Sequence, residues 1–140
     1  MLILDTDVLS IVQRGTGPEF ESLADYLRSA DDDVCVTIIS FEEQMRGWLA
    51  AVAGVKAVER QILPYRKLHE LLEDFQSRPI IDFDDLAANL FGRLRRAKLR
   101  VGTMDPKIAS IALVNDAILV TKNVRDFMAI PGIRLSEWRA

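Results

Sequence analysis

Apolar residues in this chain gather into short unbroken runs, separated by stretches with helical spacing. LILD, VCVTII, RPIIDF and AILVTKN are rich in aliphatic and β-branched residues and halt at polar positions, which predicts four strands. Their nearly continuous apolar character is that of strands buried on both faces, as in a parallel sheet. Between the first two, PEFESLADYLRSA is amphipathic, with Phe20, Leu23, Ala24 and Leu27 on one side. From Phe41 to Phe75 the pattern predicts two long helices separated near Gly54. Met45, Leu49 and Val52 line the first, and Ile62, Tyr65, Leu68 and Leu72 the second. DDLAANLFGRLRRAKL, apolar at Leu86, Leu90, Phe91 and Leu94, and DPKIASIALVND are two further helices. Strands alternating with helices predict an α/β fold. It is a helix–sheet–helix sandwich around a mostly parallel sheet of four to five strands. No repeat, low-complexity segment or linker divides residues 1–140, so a single domain is expected.

In such sheets the working crevice lies beyond the carboxyl ends of the strands. Asp5 ends the first strand, Glu43 lies just past the second, and Asp126 just past the fourth. Asp105 begins the helix leading into the fourth strand, so sheet logic alone does not bring it to that rim. Each acid also has a structural reading. Asp5 or Asp7 suits a cap for VLSIVQR, and Ser40 with Glu43 fits a capping box. Asp105–Pro106 is a strong helix start, while Asn123 and Asp126 suit a cap and an acid favoured by the helix dipole. Taken together, several carboxylates on one rim would repel unless a cation joined them. A hard divalent ion such as Mg²⁺ or Mn²⁺, which prefers oxygen ligands, is the natural partner. Capping and metal binding both stay open at this point.

Other chemistry is thinner. Asp82, Asp84 and Asp85 read as a turn and an N-cap, and Asp31, Asp32 and Asp33 as a solvated loop at the opposite rim. The single histidine, His69, lies mid-helix and excludes a two-histidine ribonuclease mechanism; no Ser-His-Asp motif is present either. Composition, at 49% hydrophobic and 28% charged, is that of an ordinary globular domain. A net charge of -3 does not announce a nucleic-acid partner, yet Arg93, Arg95, Arg96, Lys98 and Arg100 concentrate positive charge in GRLRRAKLR. Such a run is a solvated helix face or a contact for a phosphate backbone. Cys35 is the only cysteine, which excludes an internal disulfide and reads as a small buried residue in a reducing, cytoplasmic setting. Asp5 and Asp7 interrupt the opening apolar stretch before a signal peptide could form. No run approaches the roughly 20 apolar residues of a membrane helix, so no membrane partner is expected.

These residues resemble the PIN-domain endoribonucleases, and among them the VapC-like toxins of toxin–antitoxin pairs. LDTDVLS resembles the family's hhhDTN/D opening, and TIISFEEQMRGWLA its T/S-x-x-E-h-x-x-G segment, which selects Glu43 over Glu42. VGTMDPKIASIALVNDAILVTKNVRDFMAIPGI resembles the long closing block G-x-x-D-x-x-I-A…hhT-x-N-x-x-D-F…h-P-G-h, with Pro106 and Ser110 as mild departures. The resemblance implies that Asp5, Glu43, Asp105 and Asp126 bind Mg²⁺ or Mn²⁺ and catalyse hydrolysis of RNA. Thr6 and Asn123 are implied as supporting residues, and Asp7 as a lesser one. It also implies a protruding helical clip over roughly residues 41–76, a homodimer, and neutralisation by a small antitoxin. Arg46, Arg93, Arg95 and Arg96 are candidate RNA contacts. Two alternatives remain. LILDTDVL also resembles the first motif of haloacid-dehalogenase-type phosphatases, with Asp5 as nucleophile, although no late GDxxxD-like pair follows. The other is a catalytically inactive PIN-like interaction domain.

Overall fold

The computed structural model describes residues 1–97 and 106–139. Five parallel strands form one sheet: β1 (Leu2–Leu4), β2 (Val34–Thr37), β3 (Ile80–Ile81), β4 (Ile118–Val120) and β5 (Arg134–Leu135), in the order β3-β2-β1-β4-β5. The helices are α1 (Thr6–Arg14), α2 (Pro18–Ala30), α3 (Ile38–Ala53), α4 (Ile62–Gln76), α5 (Asp85–Arg96), α6 (Pro106–Val114) and α7 (Val124–Phe127). A short 3₁₀ turn, Val58–Gln61, leads into α4. None of the helices described is long and apolar enough to cross a membrane.

β1 is the centre of the sheet and is buried throughout. Its pleat sends Leu2 and Leu4 into one core with Val36, Leu71 and Phe75, and Ile3 into the other with Ile108, Leu119 and Phe127. That alternation explains why the strands read as unbroken apolar runs: both faces are covered by helices. Phe41 of α3 meets Phe75 of α4 edge to face at 5.1 Å, locking the two helices over the first core. Trp138 closes the same side, its indole N–H donating to Ser22 Oγ at 3.1 Å.

Several expectations need correction. The second strand ends at Thr37, and Ile38 and Ile39 already belong to α3. Thr37, not Ser40, is the N-cap: its hydroxyl accepts the Ser40 N–H at 3.3 Å. Ser40 therefore lies inside the first turn, and the capping-box reading of Ser40 and Glu43 falls. The apolar stripes of the long helices are also less covered than their periodicity implied. Leu49, Ile62, Tyr65 and Leu72 are exposed, and Pro64, Leu71 and Phe75 carry the burial of α4. Leu86 is exposed as well, while Ala87 beside it is fully buried. The sheet has the five strands allowed for, the fifth being β5, whose residues the apolar runs do not single out.

Candidate active site

Chain order along the sheet reverses between β1 and β4. The chain steps from β1 to β2 to β3 in one direction, then returns to place β4 on the other side of β1. A crevice opens at such a switch point because the connections on either side lead away from each other. Asp5 follows β1 directly at that point, and Asn123 and Asp126 follow β4.

Asp5 is almost fully buried, and its carboxylate is held on both oxygens. The Thr6 N–H donates to Oδ1 at 2.9 Å, and the Thr121 hydroxyl donates to Oδ2 at 2.9 Å. Its own N–H donates to the Val120 carbonyl at 2.9 Å, continuing the β1–β4 ladder by one residue. Asp5 is thus the N-cap of α1 and an inward-facing rim acid at once. The two readings of the opening acid are compatible: each hydrogen bond uses one lone pair, and a carboxylate offers about four. Asp7, two residues on, is exposed. It lacks the enclosure given to Asp5.

Glu43 stands on α3, one turn beyond Ser40. Ser40 is fully buried, and its hydroxyl lies 2.8 Å from that of Thr6, directly beside Asp5. Residues three apart share a helix face, so Glu43 lies on the side of α3 that carries the Ser40 bond to Thr6. Glu43 and Asp126 are both half-buried, the latter within α7. Asn123 is the N-cap position of α7, and its N–H donates to Thr121 Oγ1 at 3.0 Å. Thr121 therefore joins the two strand ends, accepting from the β4 loop and donating to Asp5.

Asp105, Lys98 and Arg100 lie outside the described residues. Pro106 does open α6, as the Asp105–Pro106 pair implied. Among the described residues, no three His, Cys, Asp or Glu side chains stand close enough to hold a metal ion together. The donor chemistry of Asp5, Glu43 and Asp126 is hard oxygen, which suits Mg²⁺ or Mn²⁺ and not a thiolate-preferring metal.

The remaining candidates are placed as follows. Arg46 is exposed and ion-paired to Glu42 one turn earlier. Arg93, Arg95 and Arg96 are exposed on the last turn of α5. His69 is exposed and pairs with Glu73. Asp84 caps α5 through the Ala87 N–H, as expected. Cys35 is buried, and desolvation pushes its thiol pKa up, with Asp33 adding to the effect. Thr121 and Ser40 were not singled out as site residues by sequence reasoning. Their partners lie 116 and 34 positions away, and only the fold brings them together.

A polar ladder runs from this rim along α1. Ser10 Oγ donates to the Thr6 carbonyl, Gln44 Nε2 donates to Ser10 Oγ, and Gln13 and Gln44 exchange hydrogen bonds. Gln13 then donates to Asp74, which also accepts two bonds from Arg78. The ladder lines an open cleft of about 730 Å³ between α1, α3 and α4, floored by Trp48 and Leu71.

Comparison with known proteins agrees with this architecture. The family described as PIN domain matches residues 2–132. A tRNA(fMet)-specific endonuclease VapC from Salmonella typhimurium is 33% identical over 110 residues, covering 75% of each chain. Among solved structures, DNA-bound VapBC from Salmonella typhimurium superposes with a TM-score of 0.71 at 24% identity, covering 96% of both chains. VapBC2 from Rickettsia felis, bound to a promoter DNA fragment, gives a TM-score of 0.66 at 26% identity over 98% of both chains. The family match sets the phosphatase alternative aside. The chain belongs to the PIN-domain family and groups within it with the VapC-like proteins.

Proposed function

We propose that this protein is a metal-dependent endoribonuclease acting as the toxin of a toxin–antitoxin pair in the cytoplasm. The observation that carries the reading is the buried Asp5 carboxylate, held by Thr121 at the switch point of the sheet. Glu43 on α3 and Asp126 on α7 come shortly after β2 and β4 in the chain, and in this reading they would close on Asp5 when the ion binds. Asp105, matched to the family motif in sequence, completes the proposed quartet. The Salmonella relative, named for action on a transfer RNA, supports RNA as the substrate.

Asp5, Glu43, Asp105 and Asp126 would hold Mg²⁺ or Mn²⁺, which supplies positive charge against the anion that develops on a phosphate under attack. The chain's own residues do the rest. The Thr6 N–H and Thr121 hydroxyl fix the plane of the Asp5 carboxylate, so it needs no reorganisation during reaction. Glu43 and Asp126, half-buried and open to solvent water, orient a water for in-line attack on phosphorus and take up its proton. The bridging oxygen of the phosphodiester leaves on the opposite side. An unpaired RNA segment suits this open rim better than a duplex.

Partner contacts fit the same picture. The apolar residues Leu49, Ile62, Tyr65 and Leu72 are exposed on α3 and α4. They supply surface for a second copy of the chain and for an antitoxin.

The test is direct. Purified protein is expected to cleave RNA with Mg²⁺ or Mn²⁺ and to stop when EDTA is added. Asp5→Asn is expected to lower the rate by about 10²-fold or more. Undiminished cleavage by that variant would remove Asp5 from the chemistry. Expression is expected to arrest growth, with relief from a co-expressed antitoxin encoded alongside.

A further inference from the structure

Phe83 and Phe91 pack edge to face with ring centroids 6.1 Å apart. Two cations lie against them. Lys107 Nζ is 6.0 Å from the Phe83 centroid and 5.7 Å from that of Phe91. The Arg95 guanidinium carbon is 5.5 Å from the Phe91 centroid. Phe83 follows β3 by two residues, at the carboxyl end of the sheet, and Lys107 is the second residue of α6. The cluster therefore joins the working rim to the face of α5.

We propose that Phe83 and Phe91, with Arg95 and Lys107, form a stacking site for an unpaired base of the RNA substrate. The inference rests on the ribonuclease reading and adds to it a binding element beyond the acids. Phe83 packs against the second core, and Phe91 is not among the residues that do. Ala87 and Ile108, in the core beneath, are already sealed, whereas both rings remain half-exposed. An aromatic face attracts the π-face of any base, and a guanidinium beside it adds a further stacking surface. Charge continues the path. The last turn of α5 carries Arg93, Arg95 and Arg96, and among the described residues no ion pair joins any of them to an acid. Arg28, Arg46 and Arg78, by contrast, are each neutralised by an acid within one turn. The acids nearest the rings, Asp82, Asp84 and Asp85, precede or begin α5 at its opposite end. A strand leaving the crevice would thus pass a base over Phe91 and lay its phosphates along the arginines. Stacking tolerates any base, so the site sets affinity for unpaired RNA and not the identity of the cleaved position.

The test uses the whole protein and a single-stranded RNA oligonucleotide. Phe91→Leu keeps the apolar volume and removes the π-face. It is expected to raise KM about tenfold, the scale of one lost base stack, with kcat within about twofold. Phe91→Tyr is expected to restore the wild-type KM. Phe91→Trp, titrated with the same RNA in EDTA, is expected to show indole quenching beyond that of the wild type, and less with an abasic nucleotide. Cleavage with an unchanged KM in Phe91→Leu and no added quenching in Phe91→Trp would overturn the stacking site alone. Quenching by a protein that cleaves no RNA would keep the stacking site and overturn the ribonuclease reading. A change in oligomeric state of Phe91→Leu, with KM unchanged, would assign the rings to a protein contact instead.

Discussion

Thr121 Oγ1 donates to Asp5 Oδ2 across 2.9 Å, joining the ends of two adjacent strands whose residues stand 116 positions apart. The hydroxyl is buried, and it also accepts the Asn123 N–H. One side chain therefore sets both the orientation of the rim acid and the path of the loop that leads to Asp126.

Thr121→Val keeps the shape of the side chain but removes both hydrogen bonds. It leaves a buried carboxylate oxygen short of a donor and a backbone N–H short of an acceptor. The expected loss is about 1–3 kcal/mol, seen as a lower melting temperature, with RNA cleavage slowed about tenfold. Thr121→Ser is expected to stay near wild type in both measurements. Equal activity in the valine variant would show that Asp5 needs no such restraint.

Ser40→Ala separates α3 from the start of α1. The buried Thr6–Ser40 hydroxyl pair is lost, at a cost of about 1 kcal/mol. Because Glu43 sits one turn further along α3, kcat for RNA is expected to fall more than KM rises. Steady-state kinetics of Ser40→Ala against Glu43→Gln checks this. A pure loss of stability, with kcat unchanged in folded protein, would restrict Ser40 to packing.

Asp74 gives a pH dependence of known sign. Burial pushes its pKa up, but the bonds from Arg78 and Gln13 outweigh that and hold it below the ordinary carboxyl value. The stabilisation is therefore complete above the usual range of an unfolded aspartate, near about pH 4. It disappears as pH falls through the lower folded value. Asp74→Asn is expected to cost about 1–2 kcal/mol at neutral pH. Thermal melts at decreasing pH should show its deficit against wild type shrinking as the solution becomes acidic.

Arg46 and Arg95 are expected to behave differently toward RNA. Arg46 already pairs with Glu42 on an exposed helix face, so Arg46→Ala should change affinity little. Arg95→Ala should weaken binding and reduce the salt dependence by about one phosphate contact. Titrations at several salt concentrations separate the two, and a larger effect from Arg46 would reverse the assignment.

Much of the fold was legible because β1, β2 and β4 are buried on both faces and so carry no polar interruption. A fifth strand was allowed for but not located, because β5 is two residues long and opens with an exposed arginine. The start of α3 was misplaced for a related reason. Ile38 and Ile39 extend the apolar run of β2, and only the Thr37 hydroxyl, by taking the Ser40 N–H, turns the chain into a helix there. Periodicity found the stripes of α3 and α4 but could not say what covers them, hence the exposed Ile62, Tyr65 and Leu72. At the candidate site the acids stood out by their place after strands. Thr121 and Ser40 stand in the hhT-x-N and T/S-x-x-E motifs, but what each hydroxyl holds is visible only once its distant partner is known.

The placement of β1 between β2 and β4 has a consequence for synthesis. β2 can join β1 early, but β4 arrives only after residue 117, and with it come Thr121, Asn123 and Asp126. A growing chain still on the ribosome therefore carries Asp5 without the strand and the hydroxyl that restrain it. The order of emergence delays the full enclosure of Asp5 until β4, Ile118–Val120, and the Thr121 that follows it have been made.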